Sequence, residues 1–288
     1  MTKPRIALFI GILCISIFPV IVRMGLTSGL TSAFYRMAIA TALLFPYALY
    51  KGKLQLESFT TLLPIAICGI LFASDIAVWN ISIQGSSATQ ATLLTNLSPI
   101  WVGIISLLFL NFRPRKSFWL GTLIALVGMS IFVGIDTILN LQLDGAFFLA
   151  LLSGVLYALY ILTSKKVLEK MEVITFISYS MLCSTIFLLV INLGFGEPFF
   201  GFSGPAWISL FVQGIVCQLI AWLLISYSTQ KMRATRVSLS LLSQAIFATI
   251  LAAVFVNENI TGTQMIGSVV ILAGIATTFY EKKAADIS

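Results

Sequence analysis

Ten long apolar segments follow one another along the chain and constrain its fold more than any other feature. They occupy about residues 6–22, 30–50, 59–83, 88–110, 117–135, 145–164, 173–194, 205–229, 235–256 and 263–280. The hydrocarbon core of a bilayer is about 30 Å thick, and a helix of roughly 20 mostly apolar residues crosses it. Only 9% of the residues are charged, whereas a soluble domain is about one quarter charged. The sequence therefore predicts an all-α membrane protein with ten transmembrane helices.

Basic side chains gather in alternate loops between these segments. If the N-terminus is cytoplasmic, 15 of the 17 Lys and Arg residues fall at cytoplasmic segment ends, which is the bias that orients membrane proteins. The external loops carry Asp136, Asp144, Glu197 and Glu258 instead. We therefore expect a multi-pass protein in a lipid bilayer, with both termini in the cytoplasm. This topology accounts for the net charge of +7, so no nucleic-acid partner is expected.

The chain also contains an internal repeat. A shift of 146 residues aligns residues 82–134 with residues 228–280 without a gap, and 12 of the 53 aligned pairs are identical. The identities include Ala88/Ala234, Thr89/Thr235, Asn111/Asn257, Gly121/Gly267 and Gly128/Gly274. Each copy holds five spans, so we predict two domains, at residues 1–136 and 144–281.

An odd number of spans forces the two copies to insert with opposite orientations. The loop charges agree, because residues 84–87 (QGSS) are uncharged and their counterparts 230–233 (QKMR) are basic. Inverted repeats are common in secondary transporters, whose substrate site lies near the midplane between the repeats. The sequence thus predicts two inverted five-helix repeats around a central site.

Two motifs resemble a known family. Residues 88–101 (ATQATLLTNLSPIW) look like the fourth helix of the EamA-type transporters of the drug/metabolite transporter superfamily. Residues 256–261 (VNENIT) are similar to the pattern at the last two helices of that family. One departure is visible, since the family's glutamate is Glu258 in the second repeat but Phe112 in the first. The resemblance implies a ten-helix carrier that exports or imports amino acids or similar small metabolites across a bacterial cell inner membrane.

The composition argues against an enzyme. The chain has no histidine, which removes the usual partner of a catalytic serine or cysteine and a common zinc ligand. The four cysteines are widely separated within apolar segments, so no metal site is expected. The sequence also lacks the G-x-x-x-x-G-K-[ST] loop of ATPases. We therefore expect no catalytic residues and no cofactor, and transport that is either passive or coupled to an ion gradient, with protons as the candidate ion.

Asp75 is the first candidate for the substrate site, because it is the only carboxylate deep within a predicted span. An intramembrane charge costs about 2.5 kcal/mol or more on insertion scales, so it needs a partner or a wet cavity. Asp75 either binds a substrate amino group or carries a coupling proton, with Trp79 one turn later on the same face. The alternative is a structural ion pair with Arg36. Arg36 itself either holds a substrate carboxylate, orients Asp75 or extends toward the membrane interface.

Two amides lie in spans that are repeat partners. Asn96 shares a helix face with Thr92 in the fourth segment, and Gln244 lies in the ninth. The two side chains are candidates for opposite walls of one cavity, or for the hydrogen bonds that join helices in membranes.

Aromatic side chains supply the remaining candidates. Tyr157 and Tyr160 form a stripe in the sixth segment, and Gln218 and Trp222 form another in the eighth. These four residues either line a cavity suited to amphipathic solutes or serve in packing.

Together these features predict a secondary transporter that works by alternating access, as a monomer or a homodimer. Its two halves would rock about a midplane cavity lined by segments 1, 3, 4, 6, 8 and 9. Export of amino acids or related amphipathic metabolites is the first choice. Drug-like or nucleoside-like solutes are the second, and a passive uniporter or channel is a further alternative.

The inverted topology can be tested by labelling. We expect a Gly85→Cys variant and a Lys231→Cys variant, each made after replacing the four native cysteines, to react with a membrane-impermeant maleimide from opposite sides. Positive-inside insertion predicts that only the first is labelled in intact cells and that both are labelled after permeabilisation. Labelling of both positions from the same side would contradict the inverted repeat.

Overall fold

The computed structural model describes residues 2–54, 59–85, 88–109, 114–141, 143–257 and 259–279. Ten helices within these ranges are long and apolar enough to cross a membrane, as the sequence predicts. Glu258 and Phe112, where the two repeats differ at the family's glutamate, lie outside the described residues.

We number the ten spans TM1 to TM10. Seven are single helices: TM1 is Thr2–Arg23, TM2 Gly29–Tyr50, TM3 Phe59–Gly85, TM5 Lys116–Val133, TM6 Gly145–Leu168, TM7 Val173–Phe195 and TM10 Gly262–Phe279. Three are interrupted: TM4 comprises Ala88–Thr95 and Ser98–Phe109, TM8 comprises Gly204–Val212, the π-helical Gln213–Ile220 and Ala221–Lys231, and TM9 comprises Ala234–Leu241 and Ser243–Val256. The short helix Ile135–Leu139 lies between TM5 and TM6.

Local sequence sets where several spans begin. Ser28 accepts a hydrogen bond from the backbone N–H of Thr31 at the start of TM2, and Asp144 accepts one from Phe147 at the start of TM6. Each cap satisfies one of the four N–H groups that a helix start leaves unpaired. TM2 and TM6 are therefore delimited by short polar side chains that the sequence places just before the apolar run.

The two repeats contact each other through pairs of helices. The repeat symmetry relates each pair either to a second pair or to itself. TM3 packs on TM6, and the counterpart pair TM8 and TM1 is also in contact. TM4 packs on TM6, and its counterpart pair is TM9 and TM1. TM2 packs on its own counterpart TM7, and TM5 on its own counterpart TM10. Much of the helix packing in the protein is therefore between the two repeats.

Glycines bring TM5 and TM10 into close contact. Their seven-residue spacing in the sequence predicts either a helix-packing or a dimer contact, and the structure uses them for packing within one chain. A Cβ atom on Gly274 would lie 2.6 Å from the backbone oxygen of Gly121, and one on Gly128 would lie 3.0 Å from the oxygen of Gly267. Small residues at such crossings let two backbones approach in the membrane. TM5 and TM10 thus form one closely packed antiparallel pair.

Gly274→Ala should destabilise the protein. The added methyl group meets backbone atoms of TM5 that cannot move independently, and such overpacking costs about 1–3 kcal/mol. We expect a lower midpoint of thermal unfolding for the detergent-purified variant. The matched control is Gly194→Ala in TM7, whose added methyl group meets no atom within 4 Å, and its midpoint should not fall. Equal stability of the two variants would contradict the packing described for TM5 and TM10.

Candidate functional site

A cavity of about 460 Å³ lies between the two repeats. Seven of the nine side chains that the sequence singles out line it: Arg36, Asp75, Trp79, Asn96, Tyr157, Trp222 and Gln244. The lining comes from TM1 to TM6 and TM8 to TM10. TM2, TM5 and TM10 therefore contribute in addition to the six spans predicted from the sequence, through residues such as Phe132 and Gln264.

The cavity reaches one end of the bundle. Its lining includes Val22, Ile83, Val133 and Ala252, which lie within four residues of the C-terminal ends of TM1, TM3, TM5 and TM9. The loop charges predict that this end of the bundle is external. The cavity thus extends from the interior of the bundle toward the predicted external face.

Polar contacts join TM6 and TM8 at the opposite end of the bundle. The side-chain amide of Gln230 donates to the backbone oxygens of Leu168 at 2.8 Å and Met171 at 3.0 Å. Lys165 Nζ in turn donates to the backbone oxygen of Gln230 at 2.9 Å. These bonds satisfy carbonyl groups at the end of TM6, which a helix end leaves unpaired. They hold these two helix ends of the second repeat together at the predicted cytoplasmic side.

Asp75 is buried in the cavity wall on TM3, with 7% of its surface exposed. Its Oδ1 atom accepts a hydrogen bond of 2.6 Å from the hydroxyl of Ser153 on TM6. That hydroxyl lies 3.1 Å from the hydroxyl of Thr95, the last residue of the first segment of TM4. The carboxylate is therefore held by the second repeat as well as by its own helix.

Arg36 enters the cavity from TM2. Its guanidinium lies over the ring of Phe18, with the central carbon 4.3 Å from the ring centroid, and such cation–π contacts favour the charged form of arginine in an apolar site. The side chain is only 4% exposed, and its Nε atom has no hydrogen-bond partner among the described residues. Arg36 is therefore an interior cation rather than an interfacial one.

The two charges do not neutralise each other directly. Among the described residues, the ion pairs with nitrogen and oxygen within 4.0 Å join Lys53 to Glu172 and Lys165 to Glu169, and Arg36 and Asp75 form none. Both side chains nevertheless border the same cavity. The site thus offers a carboxylate and a guanidinium at separate places on its wall, each available to a ligand.

TM4 and TM9 are interrupted at equivalent positions of the two repeats. TM4 breaks at residues 96–97 and TM9 at Leu242, which lies 146 residues after Asn96. Pro99 has no N–H group to donate to the carbonyl of Thr95, which weakens TM4 at this point. In TM9 the hydroxyl of Ser243 donates to the carbonyl of Ser240 at 2.7 Å, a contact that bends helices. The amides Asn96 and Gln244 lie beside these breaks, as discontinuous transporter helices place their binding groups.

Aromatic rings form the inner part of the cavity wall. Tyr157 and Trp222 both line it, with ring centroids 6.4 Å apart. Phe72 lines the cavity as well and lies 4.5 Å from Trp222. Tyr160, which does not line the cavity, stacks on Phe72 with ring centroids 4.7 Å apart. The rings give one side of the cavity an apolar surface.

Two predicted site residues do not line the cavity. Tyr160 supports the aromatic wall from behind, with 3% of its surface exposed. Gln218 is fully buried within the π-helical segment of TM8, and both polar atoms of its amide lack a partner among the described residues. Direct contact of these two side chains with a substrate stays a prediction.

Sequence reasoning did not connect the hydroxyl groups of Thr95 and Ser153 with Asp75. Thr95 stands beside Asn96, and Ser153 lies one turn before Tyr157 on the same face of TM6. Neither residue type is unusual in a membrane helix, so only its position one turn from a candidate residue could have marked Ser153. Contact with Asp75 depends on how TM3, TM4 and TM6 pack.

The direction of the opening predicts which positions water reaches. Thr249, on the cavity wall of TM9, should react with a water-soluble maleimide as Thr249→Cys in a background without native cysteines. Ser226 on TM8 is 2% exposed and outside the cavity lining, so Ser226→Cys should be protected in the folded protein and react after denaturation. Rapid labelling at position 226 with protection at position 249 would contradict the direction of the cavity opening.

Comparison with known proteins agrees with this architecture. The model of the EamA-like transporter family matches residues 3–134 and 145–280. An uncharacterized transporter of Bacillus subtilis, YdfC, is 27% identical over 86% of this chain and 80% of its own length. An S-adenosylmethionine uptake transporter of Rickettsia felis is 21% identical over 88% of this chain and 83% of its own length.

The fold itself has a counterpart among solved structures. One protein of known crystal structure superposes with a TM-score of 0.82 at 17% identity, over 96% of both chains. The named relatives are transporters rather than enzymes. The chain therefore belongs to the EamA-like transporter family and is a multi-pass membrane transporter of small solutes.

Proposed function

We propose that this transporter is an alternating-access carrier that exports amino acids and related amphipathic metabolites across the bacterial inner membrane, with both termini in the cytoplasm. The observation that carries the proposal is the presence of one buried carboxylate and one buried guanidinium on the wall of a single cavity, without an ion pair between them. A zwitterionic solute is the ligand whose charges match this arrangement.

The argument from charge is energetic. An isolated charge within a membrane is costly, and a purely structural Asp–Arg pair recovers that cost by direct contact and hydrogen bonding. Asp75 and Arg36 lie apart instead, so their neutralisation is left to a bound solute. The α-ammonium group would pair with Asp75, and the α-carboxylate would form a bidentate contact with Arg36.

The rest of the cavity suits an apolar side chain. Tyr157, Trp222 and Phe72 form an aromatic wall beside Asp75, and Trp79 and Phe18 lie at 6.5 Å between centroids near Arg36. Asn96 and Gln244 supply uncharged hydrogen-bonding groups. Ligand pockets in proteins commonly combine an apolar lining with a few polar groups that fix orientation.

A second candidate substrate is S-adenosylmethionine or a similar nucleoside-like solute. Two Rickettsia relatives are S-adenosylmethionine uptake transporters. The aromatic wall of this cavity could stack on a nucleobase and attract a sulfonium cation, while the amino-acid part used Asp75 and Arg36. The two candidates separate by experiment, because a sulfonium-dependent site prefers S-adenosylmethionine over the uncharged thioether S-adenosylhomocysteine, and an amino-acid site does not.

Removal of either buried charge should impair transport. In proteoliposomes we expect saturable counterflow of labelled amino acids with apolar side chains, and about 10- to 100-fold weaker apparent affinity in Asp75→Asn and in Arg36→Gln. This range corresponds to the roughly 1.5–3 kcal/mol of a hydrogen bond to a charged group. The matched controls Glu172→Gln and Lys53→Gln remove an exposed ion pair and should leave the affinity unchanged.

Ligand analogues test the pairing. If Asp75 holds the ammonium group, the wild type discriminates against a des-amino analogue and Asp75→Asn discriminates much less. If Arg36 holds the carboxylate, the wild type discriminates against an amino-acid methyl ester and Arg36→Gln discriminates much less. Equal discrimination in variant and wild type would contradict the assignment, and unsaturable flux would favour a channel. Accumulation of label in everted vesicles, with depletion in intact cells, tests the export direction.

A further inference from the structure

We propose that Ser153 is a positioning residue that connects the protonation of Asp75 to the break in TM4 through a chain of hydroxyl groups. The inference rests on the proposed function, in which Asp75 binds the substrate ammonium group, and on the alternative drawn from the sequence, in which Asp75 carries a coupling proton. It adds the device by which the protein distinguishes these two ligands.

The chain of hydroxyls crosses the interface between the repeats. Asp75 on TM3 and Thr95 on TM4 belong to the first repeat, and Ser153 on TM6 belongs to the second. The Ser153 hydroxyl is completely buried and lies 2.6 Å from Asp75 Oδ1 and 3.1 Å from Thr95 Oγ1. The Thr95 hydroxyl lies 3.4 Å from the backbone oxygen of Ala150, also on TM6. These three side chains and one carbonyl group thus form a continuous path from the Asp75 carboxylate through Ser153 and Thr95 to the backbone of TM6.

Counting hydrogens fixes the direction of this path. An ionised carboxylate only accepts hydrogen bonds, so the one hydrogen of the Ser153 hydroxyl points to Asp75. The contact between Ser153 and Thr95 then needs the hydrogen of Thr95. In this state Thr95 donates to Ser153, Ser153 donates to Asp75, and the carbonyl of Ala150 receives no hydrogen from Thr95.

Protonation of Asp75 at Oδ1 reverses the path. The proton comes from water in the cavity, and the neutral carboxyl group then donates to Ser153. The Ser153 hydrogen rotates toward Thr95, and the Thr95 hydrogen rotates toward the Ala150 carbonyl. No proton moves between hydroxyl groups, because each keeps its own hydrogen and only turns.

A substrate ammonium group does not produce this reversal. It leaves Asp75 ionised, so Ser153 continues to donate to the carboxylate. The Thr95 hydroxyl group therefore changes its hydrogen-bond acceptor when Asp75 binds a proton and keeps it when Asp75 binds an amine. Thr95 is the last residue before the interruption of TM4, and its backbone oxygen would lie 3.2 Å from a Cβ atom placed on Gly154 of TM6. A change in its hydrogen bonding thus acts where the end of the first TM4 segment packs closely on TM6 of the second repeat.

The surroundings of Asp75 allow the hydroxyl effect to be isolated. Among the described residues, Arg36 on TM2 and Tyr157 on TM6 are the charged and titratable groups that act on Asp75. TM4 and TM7, which also pack on TM3, add none. A substitution at Ser153 leaves Arg36 and Tyr157 in place, so a change in the titration of Asp75 is attributable to the lost hydroxyl.

Infrared titration of the purified protein tests the proposal without a substrate. The carboxyl band of Asp75 is the protonated-carboxyl signal that disappears in Asp75→Asn. We expect Ser153→Ala to move the midpoint of this band by about one pH unit, because a hydrogen bond that stabilises the ionised form is lost. The midpoint should move to higher pH. Thr95→Val should move it in the same direction by less, and Ser153→Thr, which retains a hydroxyl, should restore it.

The matched control is Ser164→Ala on the same helix. Ser164 is buried, and its hydroxyl donates to the backbone oxygen of Ile161. We expect no shift of the band in this variant. A midpoint in Ser153→Ala equal to that of the wild type would overturn the relay and leave the proposed substrate site intact. Absence of any titrating band that depends on Asp75 would instead overturn the proton role of Asp75 on which the relay rests.

Transport assays give the second readout. The relay predicts that Ser153→Ala shifts the pH profile of counterflow in the same direction as the infrared midpoint, with the maximal rate in Ser164→Ala unchanged. In Asp75→Asn the profile should be flat, and adding Ser153→Ala should change it no further. A lower rate in Ser153→Ala at every pH, with an unshifted profile, would assign Ser153 a structural role and overturn the proposal.

Discussion

A peptide backbone that crosses hydrocarbon has no water to bond to, so each of its N–H and C=O groups needs a partner within the protein. The ten apolar segments of this chain meet that requirement with helices, and the interruptions lie in TM4, TM8 and TM9. TM4 and TM9 are interrupted beside a cavity with polar lining groups. The requirement for backbone hydrogen bonds thus determines the helical fold and limits where irregular backbone, and with it a binding site, can occur.

The odd number of spans in each repeat has a mechanical consequence. Because the two copies face opposite ways, each contact within one repeat has a counterpart position in the other repeat that lies toward the other membrane face. In this structure the TM6 and TM8 ends are joined by Gln230 while the cavity reaches the other end of the bundle. An exchange of these two arrangements between the repeats would close one end and open the other, which is what alternating access requires.

The sequence predicted the fold closely and the site incompletely. Hydrophobic length and the 146-residue repeat specify ten spans in two five-span copies, because both are properties of the chain alone. Seven of the nine predicted site residues line the cavity. Tyr160 and Gln218 lie outside the lining. The sequence did not predict this, because the helix spacing that groups them with Tyr157 and Trp222 does not show which side of each stripe faces the cavity. The contact of Ser153 with Asp75 was not predicted, because Asp75 lies on another helix.

The sequence by itself determined that the chain spans a membrane ten times, that it is built from two oppositely inserted copies, and that Asp75 is a rare intramembrane carboxylate. These follow from hydrophobicity, from loop charge and from repetition, which act locally or along the chain. Only the tertiary structure decided that Asp75 and Arg36 border one cavity without pairing, that Ser153 and Thr95 join the carboxylate to the TM4 break, and that Gly121 and Gly274 bring TM5 to TM10. These contacts join residues far apart in sequence, and their distances depend on how the helices pack.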